Sequence, residues 1–171
     1  MTITILHEED ISPDNDGILF INAASKGKTK LGKALSNFAH YPFNHPKHGH
    51  FESMEGYWAW VWSGQQYDEL RSLYGYDAKT RGDELDKLNP RTTGLTEEEV
   101  EDLLEGLRCK LRQNRDLLNL LVESTLPFIH FNWYGKNGKY KIYLATDYQW
   151  FLDEVERIRF VCREKWKKNK H

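Results

Sequence analysis

His40, His45, His48 and His50 crowd into one short stretch, with Glu52 and Glu55 just beyond them. Imidazoles and carboxylates this close are the raw material of a metal site. His50-Phe51-Glu52 reproduces the His-x-Glu half of a zinc deaminase signature. The other half, Pro-Cys-x-x-Cys, has no counterpart, since Cys109 and Cys162 are the only thiols. No histidine pair has the helical His-x-x-x-His spacing either, so the cluster reads as polar loop histidines and no metal is expected. The run from Ser25 to Lys33 resembles a phosphate loop until Ala34, which stands where a hydroxyl must hold Mg²⁺. NTPase chemistry is therefore not expected. No Gly-x-Ser-x-Gly elbow is present and neither cysteine has a catalytic context, so a nucleophilic triad has no support.

The elements that must position any site are drawn from 171 residues with a net charge of -2. Aromatic residues make up 13%, including 6 Trp, a composition for a packed core and not for a disordered chain. No apolar run nears the ~20 residues a membrane span needs, and no secretory signal opens the chain. A cytoplasmic protein with no membrane partner is expected. Acidic residues gather between Glu97 and Glu105, basic ones between Arg157 and Lys170. The basic stretch suits a helix end that complements its dipole. It also leaves nucleic acid open as a partner through phosphate contacts.

Without repeats or linkers, residues 1–171 read as one domain. Short strands are expected at Thr2–Leu6 and Ile18–Ala23, then a long loop region over 25–50. Ser53 caps a helix to Trp62, and a short helix is expected from Tyr67 to before Gly75. Thr96 and Glu99 form a capping box for the clearest helix, whose apolar face carries Val100, Leu103, Leu104, Leu107 and Leu111. The pattern restarts near Asn114 and runs to about Glu123. Phe128–Tyr134 reads as a strand, Asn137-Gly138 as a type I′ turn, and Tyr140, Ile142 and Leu144 as one side of the return strand. Thr146 and Gln149 suggest a capping box for a final helix over 147–170, with Phe151, Val155, Ile158 and Cys162 on one stripe. Helices dominate and strands pair as small local antiparallel hairpins, so the class is α+β.

Several short motifs remain, in a definite order. They are Leu35-Ser36-Asn37-Phe38, Ser53-Met54-Glu55, Ala78-Lys79-Thr80-Arg81-Gly82, Cys109-Lys110-Leu111-Arg112-Gln113-Asn114, and Tyr134-Gly135. Over about residues 35–135 this series resembles the NADAR (YbiA-like) family of N-glycosidases from bacteria and phages. The resemblance implies a mainly helical α+β domain that cleaves a ribose–base or ribose–amine C–N bond, with no metal or organic cofactor. The implied substrates are phosphorylated riboflavin-pathway intermediates or ADP-ribosylated guanine in nucleic acid or nucleotides. Carried onto this chain, Glu55 would stabilise the cation that builds at C1′, and Lys79, in the Ala-Lys turn, would be an imine-forming nucleophile. Ser36 and Asn37 would hold ribose or phosphate. Trp58 or Trp133 would stack on the base, and His130 would complete the substrate-binding set. Lys110 falls within a matching motif, but its helical spacing is equally that of a salt-bridged surface residue.

The chain also departs from the family pattern. Gly56 replaces a His, Trp62 a Lys, Phe131 an acidic residue and Tyr134 a Trp. These departures leave a second reading, a catalytically inactive module of the same fold that binds ADP-ribose, a nucleotide or a partner protein. A third is an interaction protein that uses its basic C-terminus.

Overall fold

The computed structural model describes residues 6–169, so the expected strand at Thr2–Leu6 lies, but for Leu6, outside the described residues. The fold is α+β. In chain order its elements are β1 (Ile21–Asn22), α1 (Lys30–Leu35), β2 (Phe43–His45), β3 (Gly49–Phe51), α2 (Met54–Trp62), α3 (Gly75–Leu88), α4 (Glu97–Gln113), α5 (Arg115–Glu123), β4 (Phe128–Ile129), β5 (Phe131–Lys136), β6 (Lys139–Leu144) and α6 (Gln149–Lys168). The chain divides into two compact units, one of residues 1–35 with 119–171, the other of residues 36–118.

In the 36–118 unit the core is aromatic. Phe43, Phe51, Met54 and Tyr57 are buried along the β2–β3 hairpin and the inner face of α2. Two glycines let helices close on α2. A Cβ on Gly82 of α3 would lie 2.9 Å from the Ala59 Cβ, and one on Gly106 of α4 would lie 2.6 Å from the Tyr57 ring. Arg71 covers the cluster, its guanidinium 4.5 Å from the Phe51 ring and 4.4 Å from the Trp60 ring.

The other unit is built on Phe20, Ile129 and Phe131, with Leu19, Trp133 and Ile142 packed against them. Its β1 and β4 pair in parallel, Ile21 beside Phe128. The buried Asn22 side chain extends this pairing past β4. Its Nδ2 donates to the Phe131 carbonyl and its Oδ1 accepts from the Phe131 N–H, both at 3.1 Å. Asn22→Ala would leave both backbone groups without partners in an apolar core, at a cost of about 2–4 kcal/mol. Urea unfolding should show that loss as a lower midpoint at unchanged slope. On α6, Arg159 donates to the Leu126 carbonyl at 2.8 Å and Arg163 to the Val122 carbonyl at 2.8 Å. These two basic residues thus hold the chain that leaves α5.

Several expectations are corrected. The 25–50 region contains α1 and the β2–β3 hairpin, and Ile18–Ala23 contributes only the two residues of β1. Not all strands pair locally, since β1 and β4 are distant in sequence and parallel. The expected strand at Phe128–Tyr134 breaks at His130, where pairing passes from β1 to β6. Asp68–Ser72 is a 3-10 turn, and the Ala78–Gly82 motif is not a turn but the middle of α3. The Thr146–Gln149 capping box does not form, because a 3-10 turn at Thr146–Tyr148 precedes α6. The capped α2 and α4 stand as expected, with Thr96 and Glu99 making the reciprocal box. So does the hairpin turn, with Asn137 at φ 53° and Gly138 at φ 76°.

Candidate active site

The segment Ser36-Asn37-Phe38 is the pivot of the 36–118 unit. Its three successive carbonyls each hold a different helix. Lys110 Nζ on α4 donates to the Ser36 carbonyl at 3.0 Å. The Glu55 N–H on α2 donates to the Asn37 carbonyl at 2.8 Å, and the Gly75 N–H on α3 donates to the Phe38 carbonyl at 3.0 Å. Ser36 Oγ accepts from the Phe38 N–H at 3.2 Å, which keeps the segment turned. This part of the motif is explained by its backbone.

The start of α2 is fixed just as tightly. Ser53 Oγ accepts from the Gly56 N–H at 3.0 Å and donates to the Leu73 carbonyl at 2.8 Å. A Cβ on Gly56 would come within 2.4 Å of the Leu70 carbonyl oxygen, so the family's His has no room here. Glu55 follows in the first turn, partly buried. Burial pushes its pKa up to about 7, with the Lys79 charge pulling it down and Asp83 adding to the rise. Lys79 and Asp83 lie one turn apart on α3, ion-paired at 2.5 Å and exposed. The Asn37 carbonyl and the Lys79 charge therefore both lie against the Glu55 turn of α2. Trp58, partly buried, lies three residues beyond Glu55 on α2. Trp62, where the family carries Lys, donates its indole N–H to Asp86 at 2.8 Å.

Lys110 is not a salt-bridged surface residue. It is wholly buried, with the Ser36 carbonyl as its acceptor and the Tyr41 ring 5.8 Å away. Burial alone pulls its pKa down to about 7. The signal for this was present in the periodicity. Lys110 is seven residues from Leu103 and three from Leu107, so it falls on the apolar stripe of α4.

His130 and Trp133 belong to the other unit. The His130 Nδ1–H donates to the Ala23 carbonyl at 2.8 Å, and burial holds its pKa below the ordinary value. Lys26 Nζ donates to the Trp133 carbonyl at 3.3 Å.

Among the described residues, His45, His48 and Asp102 place donor atoms within 4.8 Å of one another. Their hydrogen bonds do not suit a divalent ion. His45 Nδ1 accepts the Lys47 and His48 N–H groups at 3.1 and 3.2 Å, so its proton sits on Nε2, which donates to the Asp102 carbonyl at 3.1 Å. The Tyr57 hydroxyl also donates to that carbonyl, at 3.1 Å, and so accepts from His48 Nδ1 at 2.9 Å. The Asp102 carboxylate already has the Lys47 ammonium at 3.0 Å. What remains is His48 Nε2, buried, without a partner and 3.6 Å from Asp102 Oδ2. Burial lowers the His48 pKa against the pull of Asp102, with His45, Lys47 and Arg71 adding to the drop. Below pH ~6.5 the unfolded chain takes a proton that the folded one resists, so this stability is lost as pH falls. His48→Phe should flatten the decline in urea midpoint between about pH 6.5 and 5.

Set beside family models, curated proteins and solved structures, the chain matches none of them. No helix among the described residues is long and apolar enough to cross a membrane.

Proposed function

We propose that the 36–118 unit carries an N-glycosidase site, cleaving a ribose–base or ribose–amine C–N bond in a nucleotide-like substrate such as ADP-ribosylated guanine. The observation that carries this reading is Glu55. It is a partly buried carboxylate poised at a pKa of about 7, beside the Lys79 and Asp83 charges, on a rigidly capped helix start. As the C–N bond lengthens, positive charge gathers at C1′, and a carboxylate in a partly dehydrated setting stabilises it more than water would. Lys79 is the amine of the site, and its ion pair with Asp83 supplies an acceptor for its proton as Nζ bonds to C1′ of an opened ribose. A second Nζ proton passes to the departing nitrogen as the C1′–N bond breaks, leaving a protonated imine that water hydrolyses to the open-chain sugar and the free amine. Asn37, partly exposed, offers its side chain to ribose hydroxyls or phosphate, and Trp58 offers a ring to the base. Ser36, expected to share that role, is instead buried with its Oγ on the Phe38 N–H.

Chromatography of ADP-ribosylguanosine and of a ribosylaminopyrimidine phosphate, incubated with the protein, tests this. The wild type should release free base or amine, and borohydride should trap the sugar on Lys79. Glu55→Gln should lower kcat at least ~100-fold, since one group facing a developing charge is worth about that much. Lys79→Arg keeps the charge but not the nucleophile, so it should be as inactive as Lys79→Ala. Intact substrates with ADP-ribose binding detected by calorimetry would make the unit a binding module instead.

A further inference from the structure

The β5–β6 hairpin turns one face into its core and the other outward. Trp133 pairs with Ile142 on the inner face. Tyr134 opposite Lys141, and Asn132 opposite Tyr143, share the outer one. There Tyr134 is 62% exposed and Tyr143 43%, their rings meeting edge to face at 5.7 Å. Lys141 Nζ lies 5.1 Å from the Tyr143 ring and Lys26 Nζ 4.7 Å from the Tyr134 ring. Lys136 and Lys139 flank the turn. From Ser124 to Thr146 the chain has no Asp or Glu, although acidic residues outnumber basic ones by 26 to 24 overall.

The Asp14 carboxylate reaches the hairpin through the Tyr140 hydroxyl at 3.1 Å, on the inner-face strand positions. The outer face therefore interleaves lysines with open aromatic rings, which complements one class of partner closely. Phosphates meet the ammonium groups, and unpaired bases meet the rings. A duplex keeps its base faces stacked inside, and a simple polyanion has none to offer. We propose that this face binds single-stranded nucleic acid, with Tyr134 and Tyr143 stacking on bases and Lys26, Lys136, Lys139 and Lys141 holding the backbone. The proposal is independent of the glycosidase reading, and Glu55→Gln should bind as the wild type does.

Fluorescence anisotropy of a short labelled oligothymidylate with the full chain tests it. Binding should weaken with salt at a log–log slope of about −3, as four phosphate contacts on a single strand require. Tyr134→Ala and Tyr143→Ala should each weaken it about tenfold, and Tyr134→Phe should leave it unchanged. Because alanine here could loosen the hairpin, Lys136→Gln with Lys139→Gln, outside the packed face, gives a second reading. That pair should lower the slope by about 1.4. Absence of binding at low salt would overturn the proposal. So would alanine variants that bind like the wild type, or duplex DNA and heparin competing as well as a single strand.

Discussion

Glu55→Gln is expected to make the protein more stable at alkaline pH while removing the proposed glycosidase activity. The folded carboxyl titrates at about 7 against an ordinary 4.5. The folded state therefore holds a proton that the unfolded chain releases between those values. Stability is fully present below pH 4.5 and is lost as pH rises through about 7. A glutamine imitates the protonated form at every pH and escapes that loss. After screening by water at the exposed edge, the gain above pH ~7 should be about 2–3 kcal/mol, vanishing toward pH ~4. Urea midpoints of the two proteins across pH would show curves that coincide in acid and separate in base. Curves that stay parallel would mean that Glu55 is well solvated, and the catalytic reading would lose its foundation. A carboxylate that weakens the fold at a rigid helix start is a candidate for a functional group.

Lys110→Met should also stabilise the protein, with the opposite pH dependence. The amine falls from 10.5 to about 7 in the folded state. Wild-type stability should rise between those values, where the unfolded chain is protonated and the folded one is not, and be lost as pH falls back through about 7. Methionine fills a similar volume without charge. The Ser36 carbonyl keeps a second donor, the Ala39 N–H at 3.2 Å, so the substitution does not orphan it. Near pH ~6 the gain should be about 3 kcal/mol, or roughly 6–12 °C in Tm, shrinking toward pH ~10. Calorimetry at both pH values separates this from a generic packing effect, which would not vary with pH.

What could be read from the sequence was local. The Ser53 and Thr96 caps, the leucine stripe of α4 and the Asn137-Gly138 turn each lie within a few residues of their partners. The helix α3 escaped because it buries only Ala78 and Leu85 in full. Its contact with α2 runs through the absence of a side chain at Gly82, which leaves no apolar period to find. The parallel pairing of β1 and β4 escaped because nothing near Ile21 points to Phe128. Glu55, Asn37 and Lys79 were singled out by motif order, and the structure sets Glu55 against the Asn37 carbonyl and the Lys79 charge. That the Ser36-Asn37-Phe38 carbonyls gather three helices was not legible, since carbonyls are the same in every residue. Lys110 was left open between a motif residue and a surface ion pair, and the structure buries it.

The Asn22 bridge bears on how the chain is made. Asn22 and Phe131 stand 109 positions apart. At a synthesis rate of ~5–20 residues per second, the early half of that clasp waits roughly 5–20 s on the ribosome for the late half. Everything between Ser36 and Leu118 has emerged by then. Birth order thus favours residues 36–118, and Asn22 finds its partner only once Phe131 has been made.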